Sequence, residues 1–139
     1  MNLEKLENSG EIEPLKPSRL EITRLFRMAK RQLSDAKSKT ISSESRLIHA
    51  YQAIFACATI ALRINGYRAK STAGKHITTI NSMQYTLDID QDLIRYLHTI
   101  RKKRHEEFYE GSLHIGEAEL NEAISLASEI LEKVKSLVA

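Results

Sequence analysis

The chain has 139 residues, 42% hydrophobic and 28% charged, which fits one domain with a single core. The longest uninterrupted apolar run is far shorter than a bilayer-spanning helix, and the N-terminus lacks the apolar segment of a secretion signal, so we expect a cytoplasmic protein without membrane contact. The single cysteine, Cys57, excludes an intrachain disulfide and agrees with a reducing compartment.

Residues 1–17 differ in composition from the rest of the chain. They contain four glutamates and two lysines, so they carry −2 while the remaining residues carry +5. Gly10, Pro14 and Pro17 interrupt any periodic pattern in this segment. We expect a mobile N-terminal tail, or a short arm lying on a neighbouring surface, followed by one domain over residues 18–139. The positive charge of that domain permits an acidic partner or a nucleic acid but does not require one.

The hydrophobic period beyond the tail predicts five helices. They span about residues 18–37, 42–65, 71–84, 90–111 and 117–137. Ser18 and Glu21 have the spacing of a capping box, and Gly66 supplies the left-handed residue that ends the second helix. The second helix is apolar around much of its circumference, so we expect it to be central. No convincing strand is present, and the sequence predicts an all-α antiparallel helical bundle of four long helices plus one short helix.

The fourth predicted helix has an arginine where the pattern calls for an apolar residue. Leu93, Leu97, Ile100 and Phe108 fall on one stripe, and Arg104 falls near its centre. Burial of an unpaired charge is unfavourable by several kcal/mol, so Arg104 requires a carboxylate, a set of carbonyls or a ligand. The structural interpretation is a buried ion pair, to Glu44 or to an acid on the last helix.

A second strip lies beside the first on the same helix. It consists of Ile94, His98, Arg101, His105 and Tyr109. Only one strip can face the core of its own bundle, so the second strip meets solvent or another subunit. An exposed isoleucine and tyrosine favour a subunit, and we expect a homodimer.

The basic run from Arg101 to His105 also permits simpler interpretations. Lys102 and Lys103 point away from the apolar stripe and fit a solvated face. His105 begins a string like the zinc motif H-E-x-x-H, but position 109 is tyrosine, and His98 lies two turns from His105. We therefore predict no metal and no cofactor. The remaining histidines, for which solvated or capping roles are expected, are His49, His76 and His114.

Two stretches resemble the HEPN superfamily. The first is RKKRHEEFYEG at residues 101–111, followed by a helix with an acidic start, and the second is HAYQAIFACATIALRINGY at residues 49–67. The resemblance extends from about Ser18 to the C-terminus. It implies an all-α fold and RNA-related chemistry, because many members are RNA-cleaving toxins or defence nucleases whose sites form where two protomers pair. It also implies a toxin–antitoxin or defence setting with a nucleotidyltransferase-type protein partner.

The signature of those nucleases has an arginine, an adjacent polar residue and a histidine five positions after the arginine. Arg104 matches the arginine and His105 the polar residue, whereas Tyr109 stands at the histidine position. A neutral tyrosine is a weak general base at pH 7, where histidine titrates. The resemblance is therefore closer to tyrosine-bearing branches, in which cleavage does not follow from membership.

Three hypotheses remain open. The first is a nucleotide- or RNA-binding or regulatory module with weak or no cleavage, whose ligand is held by Arg101, Arg104, His105 and Tyr109. The second is a metal-independent endoribonuclease in which Arg104 stabilises the phosphorane and His105 or Tyr109 transfers protons. The third is a structural dimer that binds another protein.

Overall fold

The computed structural model describes residues 3–70, 74–111 and 114–138, except for the side chain of Phe108. It confirms the all-α class, with four long helices and one shorter one where the sequence predicted them. A short N-terminal helix and a two-stranded sheet are added to them. In chain order the elements are α1 Glu4–Asn8, β1 Ile12–Pro14, α2 Arg19–Lys37, α3 Ser43–Ile64, β2 Tyr67–Ala69, α4 Lys75–Thr86, α5 Gln91–Glu110 and α6 Glu117–Val138.

Side-chain caps explain where the helices begin. The hydroxyl of Ser18 accepts the N–H of Glu21 at 3.2 Å and starts α2, as the capping-box spacing predicted. Ser42 caps α3 in the same way, and Asp90 caps α5 by accepting the N–H of Leu93 at 2.9 Å. The start of the third predicted helix near Ser71 lies outside the described residues.

Helix α3 is the centre of the bundle, as its apolar circumference predicted. Helices α2, α4, α5 and α6 all contact it, and most of its side chains are buried. Among the described residues, α3 alone is long and apolar enough to cross a membrane, yet 67% of its most apolar stretch is buried inside the bundle. Thr59 and flanking polar residues break up the uninterrupted apolar run of this helix in the sequence.

The N-terminal segment packs against the domain, so of the two predicted alternatives it resembles the short arm on a neighbouring surface and not the mobile tail. Strand β1 pairs antiparallel with β2, with Ile12 opposite Ala69. Leu3, Leu6 and Ile12 are buried in a second small core with Leu62 and Ala69. The prediction that no strand is present was therefore wrong, because the partner strand lies far along the chain and no local period signals it. Residues 1 and 2 of the predicted tail lie outside the residues that the structure describes.

Arg63, at the end of α3, ties this segment to the bundle. Its side chain is almost completely buried, and its Nε donates to the carboxylate of Glu21 at 2.7 Å. Its terminal nitrogens donate to the carbonyl oxygens of Leu15, Lys16 and Tyr67 at 2.8–3.1 Å. The buried charge is thus compensated by one ion pair and three carbonyls, as burial of a guanidinium requires.

Candidate functional site

Arg104 lies partly buried on α5, as its place in the apolar stripe predicted. Its guanidinium carbon is 5.5 Å from the ring centroid of Tyr51 on α3, within the range of a cation–π contact. Its Nε atom is inaccessible to solvent. Since α5 contacts both α3 and α4, a side chain on its inner face meets residues of both helices. The ion pair predicted with Glu44 or an acid on α6 stays a prediction.

Tyr51 connects Arg104 to a histidine on α4. Its hydroxyl lies 2.7 Å from Nδ1 of His76, a hydrogen-bond distance. The His76 ring stacks on Phe55, with centroids 4.2 Å apart and planes at 15°. Burial is the main effect on Tyr51 and raises its pKa to about 12, although Arg104 and Arg101 act in the opposite direction, so the phenol stays protonated near neutral pH. The interpretation of His76 as an isolated, solvated histidine was therefore wrong.

His98 and Arg101 extend this arrangement along α5. His98 donates from Nε2 to the side-chain oxygen of Asn81 at 2.8 Å, and its Nδ1 accepts the Nε–H of Arg101 at 3.2 Å. Burial, followed by the charges of Arg101 and Lys102, lowers the pKa of His98. Both effects favour a neutral imidazole, and the bond that Nδ1 accepts from Arg101 leaves the proton on Nε2. This imidazole positions the Arg101 side chain.

The electrostatic environment of these rings is cationic. Burial lowers the pKa of His76, and the charges of Arg104, Lys75 and Arg101 lower it further. We use the term basic cluster for the cations that shift the pKa of Tyr51, His76 or His98. Its members are Lys75, Arg101, Lys102 and Arg104. A surface region with this composition attracts anions.

His105 and Tyr109 lie on a more exposed part of α5. Tyr109 is 73% exposed, and its ring lies 4.5 Å from that of His105 with the planes at 41°. Successive residues on a helix point about 100° apart, so His105 diverges from its neighbour Arg104. The predicted set of four residues is thus divided: Arg101 and Arg104 contact side chains of the inner face, whereas His105 and Tyr109 form an outer aromatic pair.

Two predictions about α5 need correction. Ile94, predicted to be exposed beside His98, is buried in the main core. The reason is that α5 lies against both α3 and α4, which widens its buried arc. Lys103, predicted to be solvated, is partly buried and forms an ion pair with Glu119 of α6. This ion pair joins the two last helices, and it lowers the pKa of Glu119.

The described residues contain no group of three His, Cys, Asp or Glu side chains that could hold a metal ion. Instead, His76 is hydrogen-bonded to Tyr51, and His98 is hydrogen-bonded to Asn81 and Arg101. The chemistry that these side chains can perform without further groups is anion binding, hydrogen bonding and proton transfer by a neutral imidazole.

Sequence reasoning missed Tyr51 and His76 as site residues. The helical period places Tyr51 on the apolar face of α3, and the two residues are 25 positions apart. One signal was available, because a buried tyrosine needs a hydrogen-bond partner for its hydroxyl. The sequence therefore predicts that the Tyr51 hydroxyl has a hydrogen-bond partner, but it does not show which residue that partner is.

The family comparison agrees with the all-α fold. A family model described as the HEPN domain matches residues 22–137. The chain belongs to the HEPN family. This confirms the resemblance drawn from residues 49–67 and 101–111, and it favours a nucleotide-related or ribonuclease-like module. Comparisons with curated proteins and with solved structures gave no match. Within this HEPN domain, Arg104 faces the core side of α5 and Tyr109 faces outward.

Proposed function

We propose that this HEPN domain binds single-stranded RNA or a nucleotide with little or no cleavage, as the binding or regulatory module of a toxin–antitoxin or defence system. The observation that carries the proposal is the geometry of the basic cluster, in which Arg101 donates to His98 and Arg104 lies over Tyr51, whose hydroxyl is within hydrogen-bond distance of His76. Family membership supports the nucleotide-related part of the proposal.

Phosphate binding is assigned to the two arginines. A guanidinium has five N–H donors in a planar fork that matches phosphate oxygens, and the bond from Arg101 to His98 uses only one of them. The His98 contact and the ring of Tyr51 restrict the positions of Arg101 and Arg104. Side chains that are already positioned lose less conformational entropy when a ligand binds.

Base binding is assigned to His105 and Tyr109. Arg101, His105 and Tyr109 follow one another at intervals of four residues, so they form one stripe along α5 with roughly 6 Å of rise per step. Exposed rings stack on unpaired bases and contribute about 1–3 kcal/mol per base. Bases in a duplex are not available for such stacking, which favours a single strand as the ligand.

The expected lack of cleavage follows from the chemistry of the outer pair. Tyr109 stands where the nuclease signature has a histidine, and a phenol is a weak base at neutral pH. The inner imidazoles of His76 and His98 make hydrogen bonds to protein groups, which compete with proton transfer to a substrate.

A metal-independent endoribonuclease is the second candidate. One observation favours it, since His76 has a lowered pKa and lies in the field of Arg104. A neutral imidazole can act as a general base, and a neighbouring guanidinium can stabilise a phosphorane. The third candidate is a structural dimer in which Arg104 has a packing role, and the contact of Arg104 with Tyr51, which joins α5 to α3, supports that packing role.

The test is binding of a labelled single-stranded RNA with chelator present throughout. Arg101→Gln should weaken binding about tenfold and reduce the slope of log K against log salt by about 0.7, the value for one phosphate contact on a single strand. Arg95→Gln is the matched control, because Arg95 lies on the same helix and pairs with Asp92. Equal losses in both variants, or no binding by the wild type at low salt, would refute the proposal.

The same samples separate the alternatives. Robust wild-type cleavage that is lost in His105→Ala or His76→Gln would identify the protein as a nuclease. Arg104→Ala should abolish RNA binding, but its circular dichroism must be measured as well, because Arg104 is partly buried. If every variant fails to bind RNA and Arg104→Ala is merely destabilised, the structural hypothesis remains. Neighbouring genes would show whether a nucleotidyltransferase-type partner accompanies the chain.

A further inference from the structure

A concave surface lies where the start of α2, the end of α3 and the end of α6 meet. It encloses about 630 Å³, which is within the range of small-molecule pockets. Ile64, on its wall, is thirteen residues from Tyr51 on the same helix, roughly 20 Å along the axis. This groove, called the terminal groove below, is therefore distinct from the basic cluster.

The floor of the terminal groove is apolar. It is formed by Ile22 and Phe26 of α2, Ile64 of α3, and Leu137 and Val138 of α6. All of these except Leu137 pack against the main core, and Leu137 is exposed. A concave apolar surface that is continuous with the core gains free energy when a ligand excludes water from it.

The rim of the terminal groove is positively charged. Arg19 of α2 and Lys135 of α6 line it, and none of the lining side chains that the structure describes is a carboxylate. The ammonium of Lys30 lies 5.0 Å from the ring centroid of Phe26 and adds a third cation beside the floor. A ligand that matches this groove has an apolar body and an anionic end.

We propose that the terminal groove binds one molecule of an amphipathic anion, with its apolar tail on Ile22, Phe26 and Ile64 and its carboxylate or phosphate between Arg19 and Lys135. A second copy of the chain is a poor occupant. In a two-fold dimer through this surface, Arg19 and Lys135 would face the same cations of the partner. A flat bilayer is a poor occupant as well, because the apolar side chains line a concavity.

The test uses methyl-labelled protein titrated with dodecanoate and, separately, with dodecyl phosphate, both below their micelle concentrations. Methyl signals of Ile22, Ile64, Leu137 and Val138 should shift and saturate. The groove between the start of α5 and α6 provides an internal control, because it holds Leu93 and Leu126 under an acidic rim. The methyl chemical shifts of Leu93 and Leu126 should not change during the titration. Comparing the two probes shows which anionic head is preferred.

Charge variants test the role of the rim. The double variant Arg19→Gln, Lys135→Gln should weaken binding roughly three- to tenfold, as expected for two exposed charge contacts. Its matched control is Arg24→Gln, Lys133→Gln, which removes the same charge from the same helices at positions that do not line the groove. The control should bind like the wild type.

Three results of the titrations would overturn the proposal, and a fourth comes from a comparison with vesicles. The three are the absence of saturable shifts with either anion, equal binding of uncharged dodecanol, and shifts of equal size in the acidic groove. Binding that occurs only with phospholipid vesicles would also overturn it, because the bilayer surface would then be the ligand. None of these results depends on RNA binding, so the two proposals fail independently.

Discussion

The guanidinium of Arg104 shows how a charged side chain is accommodated inside a helical bundle. It lies over the ring of Tyr51, and such a contact contributes about 0.5–2 kcal/mol, more as water is excluded. The hydroxyl of Tyr51 forms a hydrogen bond with Nδ1 of His76, so this one aromatic side chain connects α3, α4 and α5. A lysine at position 104 would keep the charge but lose the planar stacking surface.

Tyr109→His should increase metal-independent RNA cleavage. The change places an imidazole at the histidine position of the signature, and a positioned general base typically contributes 10²- to 10⁴-fold in rate. The measurement is cleavage of labelled RNA in chelator. The control is Glu110→His, which adds the same ring about 100° away around the helix. Equal rates in the two variants would show that position 109 has no special place in the chemistry.

Acid should destabilise the protein through His76. The folded state lowers the pKa of His76, so the unfolded chain takes up a proton on this residue at a higher pH than the folded chain does. The free energy of unfolding that is available above about pH 6.5, the ordinary pKa of histidine, is therefore lost as the pH falls toward the lowered pKa of the folded state. The groups that act on it are Tyr51, Lys75, Arg101 and Arg104.

The corresponding measurement is the melting temperature between about pH 7.5 and pH 5. His76→Gln should reduce the acid-dependent loss, although His98, whose pKa is also lowered, contributes its own share. His114→Gln is the control, because His114 is exposed. An unchanged pH dependence in His76→Gln would contradict the assignment.

At the scale of elements, the N-terminal segment completes the fold of α3 and β2. Strand β1 covers β2, and the carbonyl oxygens that follow it, those of Leu15 and Lys16, bind Arg63. Two side-chain contacts add to the pairing: Glu13 forms an ion pair with Arg68, and the carboxylate of Glu7 accepts a hydrogen bond from the hydroxyl of Tyr67. Two of the glutamates of residues 1–17 thus hold this segment against β2.

Ile12→Ala should therefore destabilise the protein by about 2–4 kcal/mol, because Ile12 is 1% exposed and its removal leaves a cavity. Leu15→Ala should lower the free energy of unfolding by less than about 1 kcal/mol, because Leu15, in the same segment, is 37% exposed. Urea unfolding measures both values. If the two substitutions have the same small effect, residues 1–17 are dispensable for folding, as the sequence alone suggested.

At the scale of the whole molecule, we propose that the protein is a homodimer. The exposed ring of Tyr109 supports this, whereas Ile94 no longer does, because it lies in the core. Large exposed aromatic side chains are typical of interfaces. The outer pair of His105 and Tyr109 would then lie at the edge of the interface, where the Tyr109 ring contacts the partner and one ring face stays open for an unpaired base.

Sedimentation at tens of micromolar should give twice the 15.8 kDa mass of the chain. Tyr109→Glu should shift the equilibrium toward monomer, because it places a charge in the interface. Leu20→Glu is the control, since Leu20 is 60% exposed on α2. A wild-type mass of one chain would contradict the dimer.

The sequence by itself determined the five longer helices and the centre of each inner face, because period and caps are local. Ser18, Asp90 and Gly66 mark helix ends through bonds and backbone angles within a few residues. The partial burial of Arg104 also followed from the helical period alone. The family was recognisable for the same reason, since its signature lies within one helix.

Only the tertiary structure decided which side chains meet across helices. Tyr51 and His76 are 25 residues apart, and the pairing of Ile12 with Ala69 joins still more distant segments. Neither contact has a local pattern, because each depends on how helices and strands are placed in space. The width of a buried face is likewise a tertiary property: α5 lies against two helices at once, and this contact brings Ile94 into the core.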